Sequence, residues 1–378
     1  MKILCAPDSF KDCLPASRVA SAMQRGIRRG FPHALIDTCP VADGGEGTAK
    51  VLAEATAARP HAIPVCGPLG ETVYALFYRG DEPRVAILDM ASAAGLMLVE
   101  PSRRNVMRST TYGVGELLLA ACGTGAPRVV IGVGGSAGND GGCGMAQAIG
   151  VRFLDASRAS IPAPMGGEDL LSIAAIDISG IDPRIATTEF VVACDVGNLL
   201  CGKRGAAPVY AAQKGATESQ IAALDRGLAN LANIVSRDLG IDMTGPRCGA
   251  AGGLAAGLLA FAAAKLESGI DIVLDAVNFD ARVKNCDLCL TGEGKLDSQS
   301  LEGKACLGVA RHAAQQNVPA IALVGSVAAG AEKMLQAGLT AYELIGKGLS
   351  MIESIRRAEE LIADTAERVV TRFHEVKT

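Results

Sequence analysis

The chain has 378 residues, 49% apolar and 20% charged, with a formal charge of −4 and a pI near 5.7. That length suits about two domains, and an acidic balance with no long basic run argues against a polyanionic partner. Aromatic residues are only 3% and tryptophan is absent, which removes the stacking surfaces that single-stranded nucleic acid uses and leaves small ligands as the better expectation.

The longest apolar stretch, Leu254 to Ala264, is broken by Gly257, and no run is long enough for a signal peptide or a membrane span. The expectation is a cytoplasmic monomer or homodimer with neither nucleic acid nor membrane as partner. Most of the twelve cysteines sit in apolar runs. Cys286-x-x-Cys289 lies in a strand-like segment with no second pair, so core thiols are expected rather than disulfides or zinc.

In chain order, a strand at Lys2 to Ala6 runs into Pro7-Asp8-Ser9-Phe10-Lys11. A helix from Arg18 to Arg29 follows, capped by Ser17, with Val19, Met23 and Ile27 on one face. A strand at Ala34 to Pro40 opens into Asp43-Gly-Gly-Glu-Gly-Thr48, and a helix to Ala58 closes a β-α-β-α unit. Beyond Ile63 the alternation is that of antiparallel β structure, which marks a domain crossing. Further strands are read at Val85 to Met90, Arg128 to Val133 and Phe190 to Ala193, with helices near Gly115 to Ala121, Glu218 to Ser236 and Gly253 to Ala264. From Cys286 the parallel pattern resumes: a strand to Leu290, a loop Thr291 to Asp297, a helix Ala305 to Gln316, strands at Ala320 to Val324 and Ala341 to Ile345, and a helix Met351 to Phe373. The fold expected is α/β with two domains. Residues 1–63 and 286–378 build one doubly wound parallel sheet from both chain ends, and residues 64–285 form a larger mixed α/β domain inserted between them.

The strand ending at Val133 leads into Gly134-Gly-Ser-Ala-Gly-Asn-Asp-Gly-Gly-Cys-Gly144, where six of eleven residues are glycine. Such a loop offers unshielded backbone N–H groups, with Asn139 and Asp140 as polar handles, and reads as a cradle for a phosphate or carboxylate. The competing reading is a tight strand-to-helix turn with close packing. Gly132-x-Gly134-x-x-Ala137, with Asp155 downstream, also resembles a dinucleotide fingerprint, but three further glycines occupy the turns where the helix should begin. Gly197-x-x-x-x-Gly202-Lys203 fails as a P-loop, because Arg204 replaces the Ser or Thr and Pro208 falls inside the helix. Arg103, Arg104 and Arg108 read either as an anion site or as solvated surface.

Acids recur beside small residues at strand ends: Asp8, Asp43, Asp195, and Glu293 with Asp297. Singly, each reads as a cap or turn residue. In a parallel fold, however, the carboxyl ends of strands gather in one crevice, and Lys11, Lys214, Lys295 and Lys304 lie in or just after such loops. Carboxylates for magnesium, lysines and backbone N–H groups for phosphates, and a spare acid near a hydroxyl are the components of phosphoryl transfer.

Read in order, Ala-Pro-Asp-Ser-Phe-Lys11, Val-Ala-Asp-Gly-Gly-Glu-Gly-Thr48, the glycine loop, Ala-Cys-Asp-Val196, Gln-Lys-Gly-Ala216, Gly-Ala-Ala-Gly-Gly-Leu254 and Leu-Thr-Gly-Glu-Gly-Lys-Leu-Asp297 resemble the bacterial glycerate kinase family of the type I class. The resemblance implies an ATP-dependent, magnesium-requiring kinase that converts D-glycerate to 2-phosphoglycerate, with a flavodoxin-like domain assembled from both chain ends and the active site between the domains. Asp195 is expected as the general base with Lys11 beside it in catalysis, and Asp43, Glu293 and Asp297 as magnesium ligands. Asp8, Ser9, Gly134, Gly135, Ser136, Asn139, Asp140, Lys214 and Lys304 are expected to contact substrate or phosphate. The chain departs from the family pattern at Gly138, where threonine is usual, at Asp89, where glutamate is commoner, and at Tyr112, a frequent arginine position. Three alternatives stand beside this reading: a glycerate 3-kinase, a nicotinamide-dependent hydroxy-acid dehydrogenase, and a non-catalytic anion sensor.

Overall fold

In the computed structural model the structure describes residues 1–11, 13–45, 47–82, 84–296 and 304–377. The chain divides into two compact α/β units, Met1–Asp43 with Ile270–Thr378, and Gly44–Gly269.

The smaller unit is built on five parallel strands in the spatial order Ala341–Leu344, Ala320–Val327, Leu288–Leu296, Lys2–Cys5 and Leu35–Thr38. Two strands from the start of the chain thus lie beside three from its end, with Ile3 opposite Leu288 and Cys289 opposite Ala320. The central strands open on continuous apolar runs, as burial on both faces requires, and Ile3, Leu4, Cys5, Leu288, Cys289 and Leu290 expose nothing. The helices Ala16–Gly30 and Ala358–Lys377 share a core with Ile3, Cys5, Leu288 and Leu323. They meet closely at Gly26, where a Cβ would stand 1.9 Å from Ala363 O. The first of these helices begins at Ala16 after Pro15, so Ser17 lies inside it rather than capping it.

The segment expected to loop from Thr291 is instead strand as far as Leu296, with Glu293 paired to Val324. Glycines on this strand and its neighbour let the two approach: a Cβ on Gly292 would stand 2.5 Å from Leu323 O, and one on Gly325 2.6 Å from Gly294 O.

The larger unit has a six-stranded sheet in the order Lys265–Glu267, Glu189–Ala193, Arg128–Gly132, Arg84–Asp89, Thr72–Asp81 and Arg59–Cys66. The first four are parallel and the last two join antiparallel. The units part at 43/44 and 269/270, earlier than the expected 63/64 and 285/286. The helix Thr48–Ala55 belongs to the larger unit because Asp89 holds its first turn, accepting from Gly47 N and Ala49 N at 3.0 Å each. A carboxylate there satisfies orphan N–H groups and complements the helix dipole. None of the twelve cysteines is in a disulfide, Cys286 and Cys289 included. Among the described residues no helix is long and apolar enough to cross a membrane.

Candidate functional site

Each unit carries one set of the residues singled out from sequence. In the larger unit the loop after Arg128–Gly132 is half-buried at Gly134, exposed at Gly135 and buried from Ser136 onward. Asp140, with no exposed surface, organises it. Its Oδ2 accepts from Thr111 N at 2.8 Å, Thr111 Oγ1 at 2.7 Å and Gly144 N at 3.2 Å, and its Oδ1 accepts from Gly142 N at 3.0 Å. Burial pushes this carboxyl above the ordinary range against the pull of those four bonds. The Asp140 oxygens are therefore spent inside the loop.

Most of the loop's glycines serve packing. A Cβ on Gly138 would stand 2.9 Å from Ser109 O, one on Gly142 3.0 Å from Gly257 Cα, and one on Gly144 2.2 Å from Thr110 Oγ1. The portion left to meet a ligand is Gly134 to Ser136, with Gly135 in the left-handed region at φ 72°.

Lys214 is 2% exposed, and its Nζ donates to Ser136 Oγ at 2.7 Å and to Gly138 O at 2.5 Å. Burial lowers its pKa to about 7, opposed by the nearby Asp140 charge. Asn139 exposes nothing, and among the described residues neither of its amide atoms has a hydrogen-bond partner. Asp195, 6% exposed just past Glu189–Ala193, accepts from Gly269 N at 3.0 Å. Of the arginine cluster, Arg103 and Arg108 are exposed, whereas Arg104 is half-buried and donates through Nη1 to Gln213 O at 3.4 Å. Asp155 Oδ1 accepts from Ser157 N, Ser157 Oγ and Ala159 N, closing its own turn.

In the smaller unit Asp8 N donates to Gly292 O at 2.9 Å, which lays the Asp8–Lys11 loop along the Leu288–Leu296 strand. Asp8 Oδ1 accepts from Ser9 N at 2.6 Å. Its carboxyl is nevertheless held well above the ordinary range, by burial first and then by the negative charges of Asp43 and Glu293. Glu293 is 5% exposed although it lies in a strand. The fully buried Cys306 thiol registers the same neighbourhood: burial raises it, Glu293 and Asp8 raise it further, and Lys304 lowers it. Asp8, Asp43, Glu293 and Lys304 thus converge, with Ser9 half-buried and Lys11 exposed on the adjoining loop. Asp297 lies outside the described residues. Among the described residues no three His, Cys, Asp or Glu side chains form a ready-made metal ligand set.

Sequence reasoning gave no organising role to two residues that have one. Thr111 supplies two of the four donors to Asp140, and Asp89 fixes the start of the helix after Asp43-Gly-Gly-Glu-Gly-Thr48. Asp89 stands at the end of an apolar strand, the same signal that drew attention to Asp195. Thr111 carries no comparable local mark.

Comparison with known proteins first supplies the class: residues 3–374 match the sequence profile of the glycerate kinase family. A glycerate kinase of Halalkalibacterium halodurans is 43% identical over 369 residues, covering 97% of both chains. A glycerate 2-kinase of Escherichia coli K12 is 44% identical over 328 residues, covering 86% of each. A crystal structure from Salmonella typhimurium LT2, of a protein described as a glycerate kinase 2, aligns with a TM-score of 0.84 at 41% identity over 100% of this chain and 99% of the other. The chain belongs to the glycerate kinase family.

Proposed function

We propose that the chain transfers the terminal phosphoryl group of ATP to the 2-hydroxyl of D-glycerate, with magnesium, to give 2-phospho-D-glycerate. One observation carries the magnesium-dependent part: Asp8 is held well above the ordinary carboxylate range, by burial first and then by the negative charges of Asp43 and Glu293. Hard carboxylate oxygens are the donors that Mg²⁺ takes, and a divalent cation relieves their mutual repulsion. Asp43 and Glu293 would hold it, together with Asp297. Bound there, magnesium would neutralise charge on the transferring phosphate. The relative named a glycerate 2-kinase supports the 2-position.

The chain's own residues take the remaining roles. The N–H groups of Gly134 and Gly135 and the hydroxyl of Ser136 face an anion, while Lys11 and Lys304 offset phosphate charge. Asp8 and Ser9 orient glycerate. Asp195, nearly buried at a strand end, takes the proton from the attacking hydroxyl. Asn139 stays with the loop as a candidate contact, and Asp140 acts by shaping it.

Proton-coupled phosphorus NMR of the product from MgATP and D-glycerate tests the proposal. A doublet ester signal means one proton on the bearing carbon, hence the 2-phosphate. A triplet means the 3-phosphate, and no ester from folded protein overturns the reading.

A further inference from the structure

We propose that Lys214 is a positioning residue: from beneath the loop it turns the Ser136 hydroxyl proton outward, so that Ser136 rather than the lysine donates to the bound phosphate. The inference rests on the kinase reading, and it redistributes the work within that site.

The geometry leaves Lys214 little freedom. At 2% exposure it is sealed under the loop, and two of its donors are committed at 2.7 Å to Ser136 Oγ and 2.5 Å to Gly138 O. A carbonyl oxygen only accepts, so the contact with Gly138 fixes Nζ as a donor there. An ammonium has no lone pair. While Lys214 is charged, Ser136 Oγ must accept from it, and the serine's own O–H is directed elsewhere. Ser136 is 8% exposed and follows the exposed Gly135, so its hydroxyl borders the only open part of the loop. A neutral amine, in contrast, has a lone pair facing Oγ and can capture the serine proton, which withdraws the donor from the ligand.

Among the described residues Asp140 is the charge that acts on the amine, from the same loop, and it favours the charged form against burial. On the packed segment Arg104 engages Gln213 O rather than Nζ. With the lysine lowered to about 7, the two hydroxyl orientations exchange near neutrality.

The test is MgATP binding by calorimetry on either side of neutrality, with the unmodified protein, Ser136→Ala and Ser136→Thr. The unmodified protein is expected to bind MgATP about tenfold more weakly on the alkaline side, the worth of one hydrogen bond to a charged group. Ser136→Ala should bind about tenfold more weakly on the acid side and lose the pH dependence, while Ser136→Thr should retain it. If Lys214 met the phosphate directly, the alkaline weakening would persist in Ser136→Ala, and the proposal would be overturned. An unmodified protein with no pH dependence of binding would overturn it equally. Because the readout is binding, a protein that binds MgATP in this pattern but makes no phosphoglycerate would refute the kinase reading and leave the serine assignment standing.

Discussion

The Asp8 loop of the smaller unit and the Gly134–Gly144 loop of the larger both follow a parallel strand, and both hold a carboxylate raised above its ordinary range. Asp140 is met by four donors, all from its own loop and the adjacent Thr111. Asp8 is held by Ser9 and raised by burial first, then by Asp43 and Glu293. A carboxylate saturated with donors is scaffold, because moving it breaks the bonds that define the loop. One raised by neighbouring acids has unspent capacity, and a cation or a proton lowers its energy.

The contrast breaks most severely at the acids. Asp43→Asn with Glu293→Gln should lower turnover by about 10²- to 10³-fold, the usual loss when charge stabilisation of a transition state is removed, and should raise the magnesium needed for half-maximal rate. Unchanged magnesium dependence in the folded double variant would return both acids to a structural role. Asp140→Asn should act first on stability. It replaces an acceptor with a group that donates toward Thr111 or Gly144, costing about 2–3 kcal/mol, read as a lower urea midpoint. If turnover fell without that loss, Asp140 would be a ligand contact after all.

Gly142→Ala sharpens the packing side. At φ 79°, with Gly257 Cα 3.0 Å from a new Cβ, it should cost about 1–3 kcal/mol, measured by the same unfolding curve.

The smallest effects are in pH. The folded state raises Asp8, so its contribution to stability is complete below the unfolded carboxylate value and is lost as pH rises through the folded one. Asp8→Asn should flatten that fall in metal-free protein, and magnesium should do the same without mutation. Lys214 has the opposite slope. The native state releases its proton near 7 while the unfolded chain still holds it, so stability rises from about 7 toward the ordinary lysine range. Lys214→Met should remove the rise, and thermal unfolding across that range reads both.

Much of this was legible in the residues. Continuous apolar runs such as Lys2–Cys5 and Leu288–Leu290 followed by acids announced parallel strands, because a strand covered on both faces has no polar side to show. The glycine loop and the acids at strand ends were visible for the same reason, as polar or small residues where an apolar run stops. The misreadings arose where a residue's partner is distant in sequence. Gly292 looked like a loop signal, yet it serves the contact with the Ala320–Val327 strand. The helix Thr48–Ala55 looked continuous with the first unit until Asp89, far along the chain, tied down its first turn.

Residue order alone therefore determined which stretches could be buried and which could carry charge, since period and composition are local properties of the chain. Tertiary structure decided what those charges do. A carboxylate's role depends on whether donors or other acids surround it, and Thr111 beside Asp140 or Glu293 beside Asp8 becomes a neighbour only once the sheet has formed.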